Sequence, residues 1–254
     1  MKYLARFIWG VAFFLFWQGL YSLQLFHPLI LPSPLEVFEK IISDMASGEL
    51  PISLYYSLYM IIAALVPAVL TAFLMAVAGR RWNKIDQFWE ALSALAHPLP
   101  GIALLPLLIL WTGLGTHIIV LIVFHSVLWP FYINLRSGFR GVSSLWLDLG
   151  RNNELQGWEN FVYILLPGAY PSLLAGLKIS WARAWRAVIS AEMIFGTIGN
   201  AGGLGWYIFD KRTFMDTPGM YSGILILMLI GILVDDLIFR KLESRMNLRW
   251  GRIS

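Results

Sequence analysis

Three long stretches of the chain contain no Asp, Glu, Lys or Arg, and they constrain the fold more than any other feature. They cover residues 7–35, 50–79 and 91–135. A helix needs about 20 consecutive apolar residues to cross the hydrocarbon core of a bilayer. Each stretch is therefore long enough for one crossing, and the third is long enough for two.

The composition agrees with a membrane location. Hydrophobic residues make up 58% of the chain and charged residues 13%, whereas a typical soluble domain is about 25% charged. A soluble chain of 254 residues could not bury so much apolar surface, so lipid must be the solvent for much of it. The chain has no cysteine, which excludes disulfides, thiolate metal sites and a cysteine nucleophile.

These stretches predict an all-α polytopic membrane protein with about six transmembrane helices. The stretch over 91–135 breaks at residues 112–117, which gives two spans. The N-terminal apolar run is interpreted as a retained first span, because it is too long for an ordinary signal peptide. A fifth span lies within 161–195, and a sixth runs over about 219–239.

The distribution of basic residues predicts the orientation. Lys and Arg cluster before span one, between spans two and three, between spans four and five, and after span six. The opposite loops hold only Lys40, Lys211 and Arg212. Since cytoplasmic loops carry the excess of positive charge, both termini are expected in the cytoplasm. The chain is expected to be a multi-pass protein of the bacterial plasma membrane.

A short amphipathic helix is expected on the outer face, over residues 33–47. Ser33 is a good N-cap, Pro34 suits the first helical position, and Glu36 completes a capping box. Apolar residues then recur at helical spacing, at Leu35, Phe38, Ile41, Ile42 and Met45. Such a helix lies on the bilayer or on another helix.

The cytoplasmic loop over 140–160 contains a second short helix, which includes Leu145, Trp146 and Leu149. Apolar side chains in a loop that faces water usually need a partner surface. Two interpretations stay open: the loop packs under its own membrane domain, or it docks a cytoplasmic subunit.

The sequence carries no pattern of an energy source or a catalytic centre. It has no G-x-x-x-x-G-K-[ST] phosphate loop and no G-x-S-x-G elbow. The four histidines are scattered without metal-ligand spacing. We therefore expect no metal site and a transport subunit rather than an enzyme, although a membrane enzyme or a channel without ATP coupling is kept as an alternative.

The loop before span five resembles a known motif. Asp148-Leu149-Gly150, then Glu154, then Ile164-Leu165-Leu166-Pro167 align with E-A-A-x3-G-x9-I-x-L-P, the cytoplasmic motif of inner-membrane permeases from binding-protein-dependent importers. Leu149 and Gly150 replace the two alanines, and Glu154 stands where the glycine belongs. Other segments, from about residue 28 to the C-terminus, resemble the nitrate, sulfonate and taurine branch of these permeases, among them residues 31–34, 97–100, 105–106, 111–115, 166–171, 184–186 and 191–193.

This resemblance implies a type I ABC importer permease fold, with one transmembrane domain over residues 1–254. Two permease copies would form the pore, two ATPase subunits would bind ATP and Mg²⁺ below it, and an extracytoplasmic binding protein would deliver the solute. No nucleic acid partner is expected. The loop would be the coupling helix that contacts the ATPase, through Leu145, Trp146, Asp148, Leu149, Gly150, Glu154 and Gly157.

Span five carries charges at membrane depth, where each costs at least about 2.5–3.5 kcal/mol near a helix centre. At about 100° per residue, Arg183 and Arg186 lie about 60° apart on the helix and share a face. We expect them to line the passage and attract an anion. The alternative is internal ion pairing with Glu192, Asp235 or Asp236. The predicted passage residues are Lys178, Arg183, Arg186 and Glu192.

The solute expected from these features is a small anion similar to nitrate, a sulfonate or taurine. A heterocyclic vitamin precursor and an amino-acid-like solute are the alternatives within the same class of importer. The sequence alone does not decide between them, because the binding protein is expected to carry much of the specificity.

Overall fold

The computed structural model describes residues 2–196 and 202–250, with side chains within 8–196 and 202–246. Every regular element in these ranges is helical. The α-helices are α1 (Lys2–Ser22), α2 (Pro34–Ala46), α3 (Glu49–Arg81), α4 (Asn83–Ala96), α5 (Leu105–Thr112), α6 (Thr116–Arg140), α7 (Ser144–Asn152), α8 (Trp158–Asn160), α9 (Leu166–Phe195), α10 (Leu204–Thr213), α11 (Thr217–Val234) and α12 (Arg240–Trp250). A 3₁₀ turn covers Gly101–Leu104, and π-helical segments cover Phe161–Leu165 and Asp235–Phe239.

Four continuous helical segments are long and apolar enough to cross a membrane. They cover Glu49–Arg81, Thr116–Arg140, Trp158–Phe195 and Thr217–Met246. These segments correspond to the predicted spans two, four, five and six. The predicted break between spans three and four is also confirmed, because α5 ends at Thr112 and α6 begins at Thr116.

The prediction of one continuous helix for span three is wrong. Helix α4 and the segment Gly101–Thr112 form a pair bent by 89°. The bend falls at Pro98 and Pro100, which lack a backbone N–H and disfavour a helical conformation in the residue before them. This pair counts as a fifth candidate span when its two halves are taken together.

Helix α1 is the remaining candidate for a membrane segment. Its described apolar part, Ile8–Ser22, is shorter than a full crossing of about 20 residues. The predicted all-α polytopic membrane fold is therefore confirmed, with four to five spans of sufficient length in the described residues. The side of the membrane on which the termini lie stays a prediction.

The described residues group into two compact units. The first comprises the described parts of Met1–Leu58 and Glu192–Ile230, and the second those of Tyr59–Ala191 and Gly231–Ser254. Each unit is described by itself below. A single permease domain over the whole chain stays a prediction.

In the first unit, α2 has the predicted capping box. The Ser33 side chain accepts a hydrogen bond from the Glu36 backbone N–H at 3.1 Å, and the Ser33 N–H donates to Glu36 Oε2 at 2.9 Å. Two N–H groups at the helix start are thus satisfied without another element. The predicted amphipathic helix is confirmed as Pro34–Ala46, while its place on the outer face stays a prediction.

A cluster of hydrogen bonds and ion pairs connects α2 to α10 and to the start of α11. The Tyr207 hydroxyl donates to the carboxylate of buried Asp44 at 2.6 Å and lies 2.9 Å from Ser222 Oγ. Lys40 pairs with Asp44 at 3.3 Å and with Asp216 at 3.0 Å. Partial burial alone would lower the pKa of Lys40, but the two carboxylates outweigh it and raise the pKa above its usual value. The Lys40 charge is therefore retained in this cluster.

In the second unit, α6 supplies more of the buried apolar side chains than any other described helix and packs closely against α9. A Cβ on Gly138 would lie 2.7 Å from Ser172 Cβ, and one on Gly176 would lie 2.9 Å from Asn134 Cβ. Helices in lipid associate mainly through such van der Waals packing, which small residues permit because the backbones approach closely. The two glycines thus set the distance between α6 and α9.

A cluster of charges joins α4 to the end of α6. Buried Asp86 accepts hydrogen bonds from Arg136 at 2.6 and 2.8 Å and from Arg140. Arg136 also donates to Glu90 at 2.6 Å. Each buried charge therefore has an opposite charge and hydrogen-bond partners, which is the condition under which burial of charge is tolerated.

Replacing Gly138 with Ala is expected to lower the melting temperature of the purified protein. The added Cβ must push Ser172 away, and such overpacking costs about 1–3 kcal/mol. Gly231→Ala is the matched control, since a Cβ there meets no described atom within 4 Å, and it is expected to leave the melting temperature unchanged or raised. Thermal unfolding in detergent measures both, and an equal effect of the two variants would contradict the packing assignment.

Candidate functional sites: a docking loop and an arginine-lined cavity

The predicted short helix in the loop before span five is present as α7. Its apolar side chains face outward: Leu145 is 64% exposed, Trp146 59% and Leu149 42%. Asp148 lies on the same helix and pairs with Arg151 at 3.3 Å, with both side chains largely exposed. Helix α7 therefore presents an apolar surface flanked by one surface ion pair.

Gly150 explains how α7 packs against the helix that follows it. It is buried, and a Cβ at this position would lie 2.9 Å from Asn160 Nδ2 and 3.1 Å from Ile164 Cγ1. An alanine, as in the motif that the loop resembles, would force these side chains to move. The glycine thus permits a close approach of α7 to the start of the 158–195 helix.

Glu154 occupies the position at which the motif has a glycine, and it adopts the left-handed backbone conformation that glycine favours. Its φ is +61°, and the neighbouring turn residue Gly157 has a φ of +51°. The left-handed conformation costs a residue with a side chain about 1–2 kcal/mol. The Leu155 N–H donates to the Gly150 carbonyl at 3.0 Å, which closes the end of α7. The chain therefore makes a left-handed turn at this position with a glutamate in place of a glycine.

Beside this loop lies a groove of about 1060 Å³ formed by the end of α3 and the residues after α7. Leu74, Val77 and Phe161 contribute its apolar wall, and Arg81 and Arg151 contribute positive charge. Trp158, which is 73% exposed, lines the groove and stacks on Phe161 with ring centroids 5.3 Å apart. Together, α7 and this groove form an uncovered surface that is partly apolar and partly basic.

Arg183 and Arg186 line one cavity, as expected from their spacing on the helix. The cavity has a volume of about 330 Å³ and lies between α6, α9 and the bend that joins α4 to the 3₁₀ turn. The Arg186 Nε–H donates to the carbonyl of Ala182 at 3.0 Å. In the part of the chain that the structure describes, neither arginine forms an ion pair with an Asp or Glu.

The other two predicted passage residues lie in different surroundings. Lys178 pairs with Asp235 at 2.8 Å and with Glu243 at 3.4 Å. The ion pair with Asp235, considered from the sequence for the arginines, is thus made by Lys178. A place for Lys178 in the passage stays a prediction.

Glu192 belongs to the first unit and is 1% exposed. Its carboxylate accepts a hydrogen bond from Ser57 Oγ at 2.8 Å and from the Gly205 N–H at 2.9 Å. The Leu204 N–H in turn donates to Ser57 Oγ at 2.8 Å. Glu192 therefore satisfies N–H and hydroxyl groups at the start of α10, and its predicted role in the passage stays a prediction.

The structure adds three cavity residues that the sequence did not single out for binding. His97 comes from the bend after α4, and His125 and Trp129 come from α6. The spacing of four residues places His125 and Trp129 on one face of α6. That spacing was visible in the sequence, but the bend that brings His97 to the same cavity was not.

Within residues 8–196 and 202–246, no group of three or more His, Asp or Glu side chains could hold a metal ion. The polar side chains that line the described cavity come from arginine, histidine, serine and tryptophan.

The fold and these two features define a polytopic helical membrane protein with an exposed, partly apolar loop surface and a cavity lined by two arginines. Residues 57–248 match the family described as the inner membrane component of binding-protein-dependent transport systems. The chain belongs to this family.

Several curated relatives match most of the chain. The putative aliphatic sulfonates transport permease protein SsuC of Bacillus subtilis is 29% identical over 92% of this chain and 83% of its own length. The taurine transport system permease protein TauC of Escherichia coli is 27% identical over 93% of this chain and 86% of its own length. The nitrate import permease protein NrtB of Leptolyngbya laminosa is 23% identical over 69% and 60% of the two chains.

The chain is thus a permease component of a binding-protein-dependent ABC importer, a multi-pass protein of the plasma membrane and not an enzyme. Systems of this family work with an ATPase and a substrate-binding protein. The predicted family, its transport function and its location are confirmed.

Changing Glu154 to Gly is expected to leave the loop as stable as in the wild type or more stable, whereas Glu154→Val is expected to loosen it. A β-branched residue is strongly disfavoured at positive φ, and a loss of about 1 kcal/mol raises the open fraction about fivefold. The rate of trypsin cleavage after Arg151 measures this opening.

Glu159→Val is the control for the Glu154 variants, because Glu159 is exposed on helical backbone. Its cleavage rate is expected to match that of the wild type. Equal cleavage of Glu154→Val and Glu154→Gly would contradict the strained turn.

Proposed function

We propose that this permease forms, as two copies, the translocation pore for a small anion, and that α7 docks it to a pair of ATPase subunits that bind ATP and Mg²⁺. The observation that carries the choice of an anion is the cavity in which Arg183 and Arg186 lie without an acidic partner in the described residues. A binding protein on the outer side would deliver the solute. The printed names of the relatives, which concern sulfonates, taurine and nitrate, support the same class of solute.

The cost of unpaired charge supports the assignment of the cavity to the passage. An ionised side chain at membrane depth is expensive unless water or an opposite charge compensates it. Lys178 has two carboxylates close by, but the two arginines have none among the described residues. A guanidinium group offers paired N–H donors that match a sulfonate or nitrate group. An anion that passes along this face would supply the missing charge.

The exposed face of α7 supports docking to the ATPase. Three large apolar side chains are exposed on a helix of nine residues. If the loop packed only under its own membrane domain, these side chains would be covered by the chain itself. Their exposure favours the interpretation in which a separate subunit covers them. The contact with the ATPase would be made by Leu145, Trp146 and Leu149. The position of α7 would be set by Gly150, Glu154 and Gly157.

The hydrogen bonds of Lys178 and Glu192 favour structural roles for these two residues. Both side chains are engaged by neighbouring groups. In our proposal they position the helix that carries Arg183 and Arg186, and they do not contact the solute.

Replacing Trp146 and Leu149 together with Glu is expected to remove the ATPase subunit from the purified complex. Truncating or charging central apolar contacts of an interface costs about 2 kcal/mol or more, which lowers affinity at least about thirtyfold. Affinity purification from native membranes, with quantification of the ATPase by mass spectrometry, measures the loss.

Phe214→Glu is the control for this experiment, because Phe214 is 76% exposed but does not belong to the loop. It is expected to retain the ATPase at the wild-type ratio. ATPase retention by the Trp146 and Leu149 double variant would remove the docking role of α7.

Replacing Arg186 with Gln is expected to lower ATP-driven anion uptake about tenfold, the effect of one lost charge-assisted hydrogen bond. Assembly with the ATPase is expected to stay intact, because no described carboxylate loses its partner. Uptake into proteoliposomes with the reconstituted complex measures the change.

Lys178→Gln is the comparison, because it leaves Asp235 and Glu243 without their cation. It is expected to lower the melting temperature and to leave uptake per assembled complex close to that of the wild type. Unchanged uptake in Arg186→Gln, with a lowered melting temperature, would assign Arg186 to helix packing instead.

A further inference from the structure

The groove beside α7 lies where a candidate membrane span ends. One of its walls is the last part of the apolar segment Glu49–Arg81, which contributes Leu74, Val77 and Arg81. The spacings of three, four and seven residues place these side chains on one face of the helix. A rise of 1.5 Å per residue puts Leu74 about 10 Å from Arg81 along the axis. The headgroup layer of a bilayer is about 5–8 Å deep on each side, so this face extends from headgroup level to hydrocarbon.

The opposite wall combines apolar and basic side chains in the same way. Leu147 and Arg151 lie four residues apart on α7 and both line the groove. Phe161 and Leu165, from the π-helical segment that follows the loop, complete the apolar part. Both walls therefore offer an apolar surface next to an arginine.

The charge of the groove is positive. Its described lining includes Arg80, Arg81 and Arg151 and no Asp or Glu. Arg151 pairs with Asp148 at 3.3 Å, but both side chains are largely exposed, and such a surface pair contributes little energy. The guanidinium of Arg81 lies 5.9 Å from the centroid of the Trp82 ring. The lining thus attracts an anionic group.

Two exposed tryptophans line the groove beside these arginines. Trp82 is 54% exposed and Trp158 73%. Tryptophan is enriched at the boundary between membrane and water, where its ring lies at the level of the lipid headgroups. The side-chain amides of Gln156 and Asn160 line the same groove and provide neutral hydrogen-bonding groups. The polar part of the groove therefore has the composition of a headgroup site.

We infer that this groove binds an anionic phospholipid, with the phosphate at the three arginines and an acyl chain against Leu74 and Val77. Basic pockets between membrane helices recognise anionic headgroups by this chemistry. The volume of about 1060 Å³ is more than a free inorganic anion fills, and such an anion would leave both apolar walls uncovered. The inference depends on neither the solute nor the ATPase proposed above.

The lipid and the proposed ATPase contact use different sides of α7. Leu147 and Arg151 line the groove, whereas Leu145 and Leu149 lie about 160° away from Leu147 on the helix. A lipid in the groove therefore leaves the exposed apolar side chains of α7 accessible to a protein partner.

Three additives test the inference on the full-length permease purified in detergent. Dioleoyl phosphatidylglycerol and dioleoyl phosphatidylcholine have the same acyl chains, but only the first has a net negative headgroup. Glycerol 3-phosphate has the phosphate without the chains. A ligand that binds only the folded state raises the melting temperature with its concentration. We expect a rise with phosphatidylglycerol that exceeds the rise with each of the other two.

Replacing Arg80 and Arg81 together with Gln is expected to weaken phosphatidylglycerol binding about thirtyfold, since each basic residue near an anionic headgroup contributes to the attraction. The matched control is the double variant Lys241→Gln and Arg245→Gln. It removes two exposed charges near the end of another candidate span, and neither residue lines the groove. This control is expected to bind phosphatidylglycerol as the wild type does.

The apolar wall is tested by Val77→Trp, which fills part of the groove. Displacing about two methylene groups of the acyl chain is expected to weaken phosphatidylglycerol binding about tenfold. Val66→Trp is the control, because Val66 is 49% exposed on the same helix and does not line the groove. It is expected to bind with wild-type affinity.

An equal rise with phosphatidylcholine would overturn the inference, because the headgroup charge would then be irrelevant. An equal rise with glycerol 3-phosphate would overturn it too, since the occupant would be a free anion. Wild-type phosphatidylglycerol binding by both groove variants would locate the lipid elsewhere.

Recovery of the ATPase from native membranes separates the inference from the proposed function. Loss of the ATPase by the Arg80 and Arg81 double variant, with unchanged phosphatidylglycerol binding, would make the groove a protein contact and overturn the lipid site. If the wild type binds phosphatidylglycerol as expected but no ATPase is recovered with it, the lipid site is supported and the proposed importer assembly fails alone.

Discussion

The cost of removing charge from water governs the arrangement of the ion pairs that join the helices. A charged group away from water needs an opposite charge or several hydrogen bonds. Asp86 meets this condition through Arg136 and Arg140, which join α4 to α6. Lys178 meets it through Asp235 and Glu243, which tie the 158–195 helix to the last long segment. These contacts position the helices around the cavity.

Arg183 and Arg186 have no acidic partner among the described residues, and in our proposal this absence connects the fold to transport. The same helix satisfies Lys178 with two carboxylates, so pairing of basic residues is available in this fold. The close packing of α6 on α9 at Gly138 and Gly176 holds Trp129 and the arginines at one cavity. In our account the transported anion itself provides the compensating charge, for as long as it occupies the cavity.

Much of the fold could be predicted because its causes are local. Charge-free stretches identify spans, and the Ser33–Glu36 capping box identifies the start of α2. The bend at residues 97–100 was missed because a proline-rich segment is compatible with a kinked helix as well as with a break. The direction of the chain after such a break depends on packing against α6, which a single sequence does not reveal.

The candidate sites, too, could be predicted from the sequence only in part. The exposed apolar face of α7 and the shared face of Arg183 and Arg186 follow from helical periodicity alone. The left-handed turn at Glu154 does not, because glutamate has no preference for positive φ. His97 and Trp129 are far apart in sequence, so their presence in one cavity required the fold.

The most direct measurement is an anomalous-scattering structure of the assembled permease with selenate, an oxyanion whose selenium can be located independently of the protein atoms. Our account predicts a selenium peak within the cavity, with its oxygens within hydrogen-bond distance of both Arg183 and Arg186. A structure with no selenium peak there, in which an Asp or Glu carboxylate of a second permease copy pairs with these arginines, would contradict the account. It would show that the two arginines join the permease copies through ion pairs.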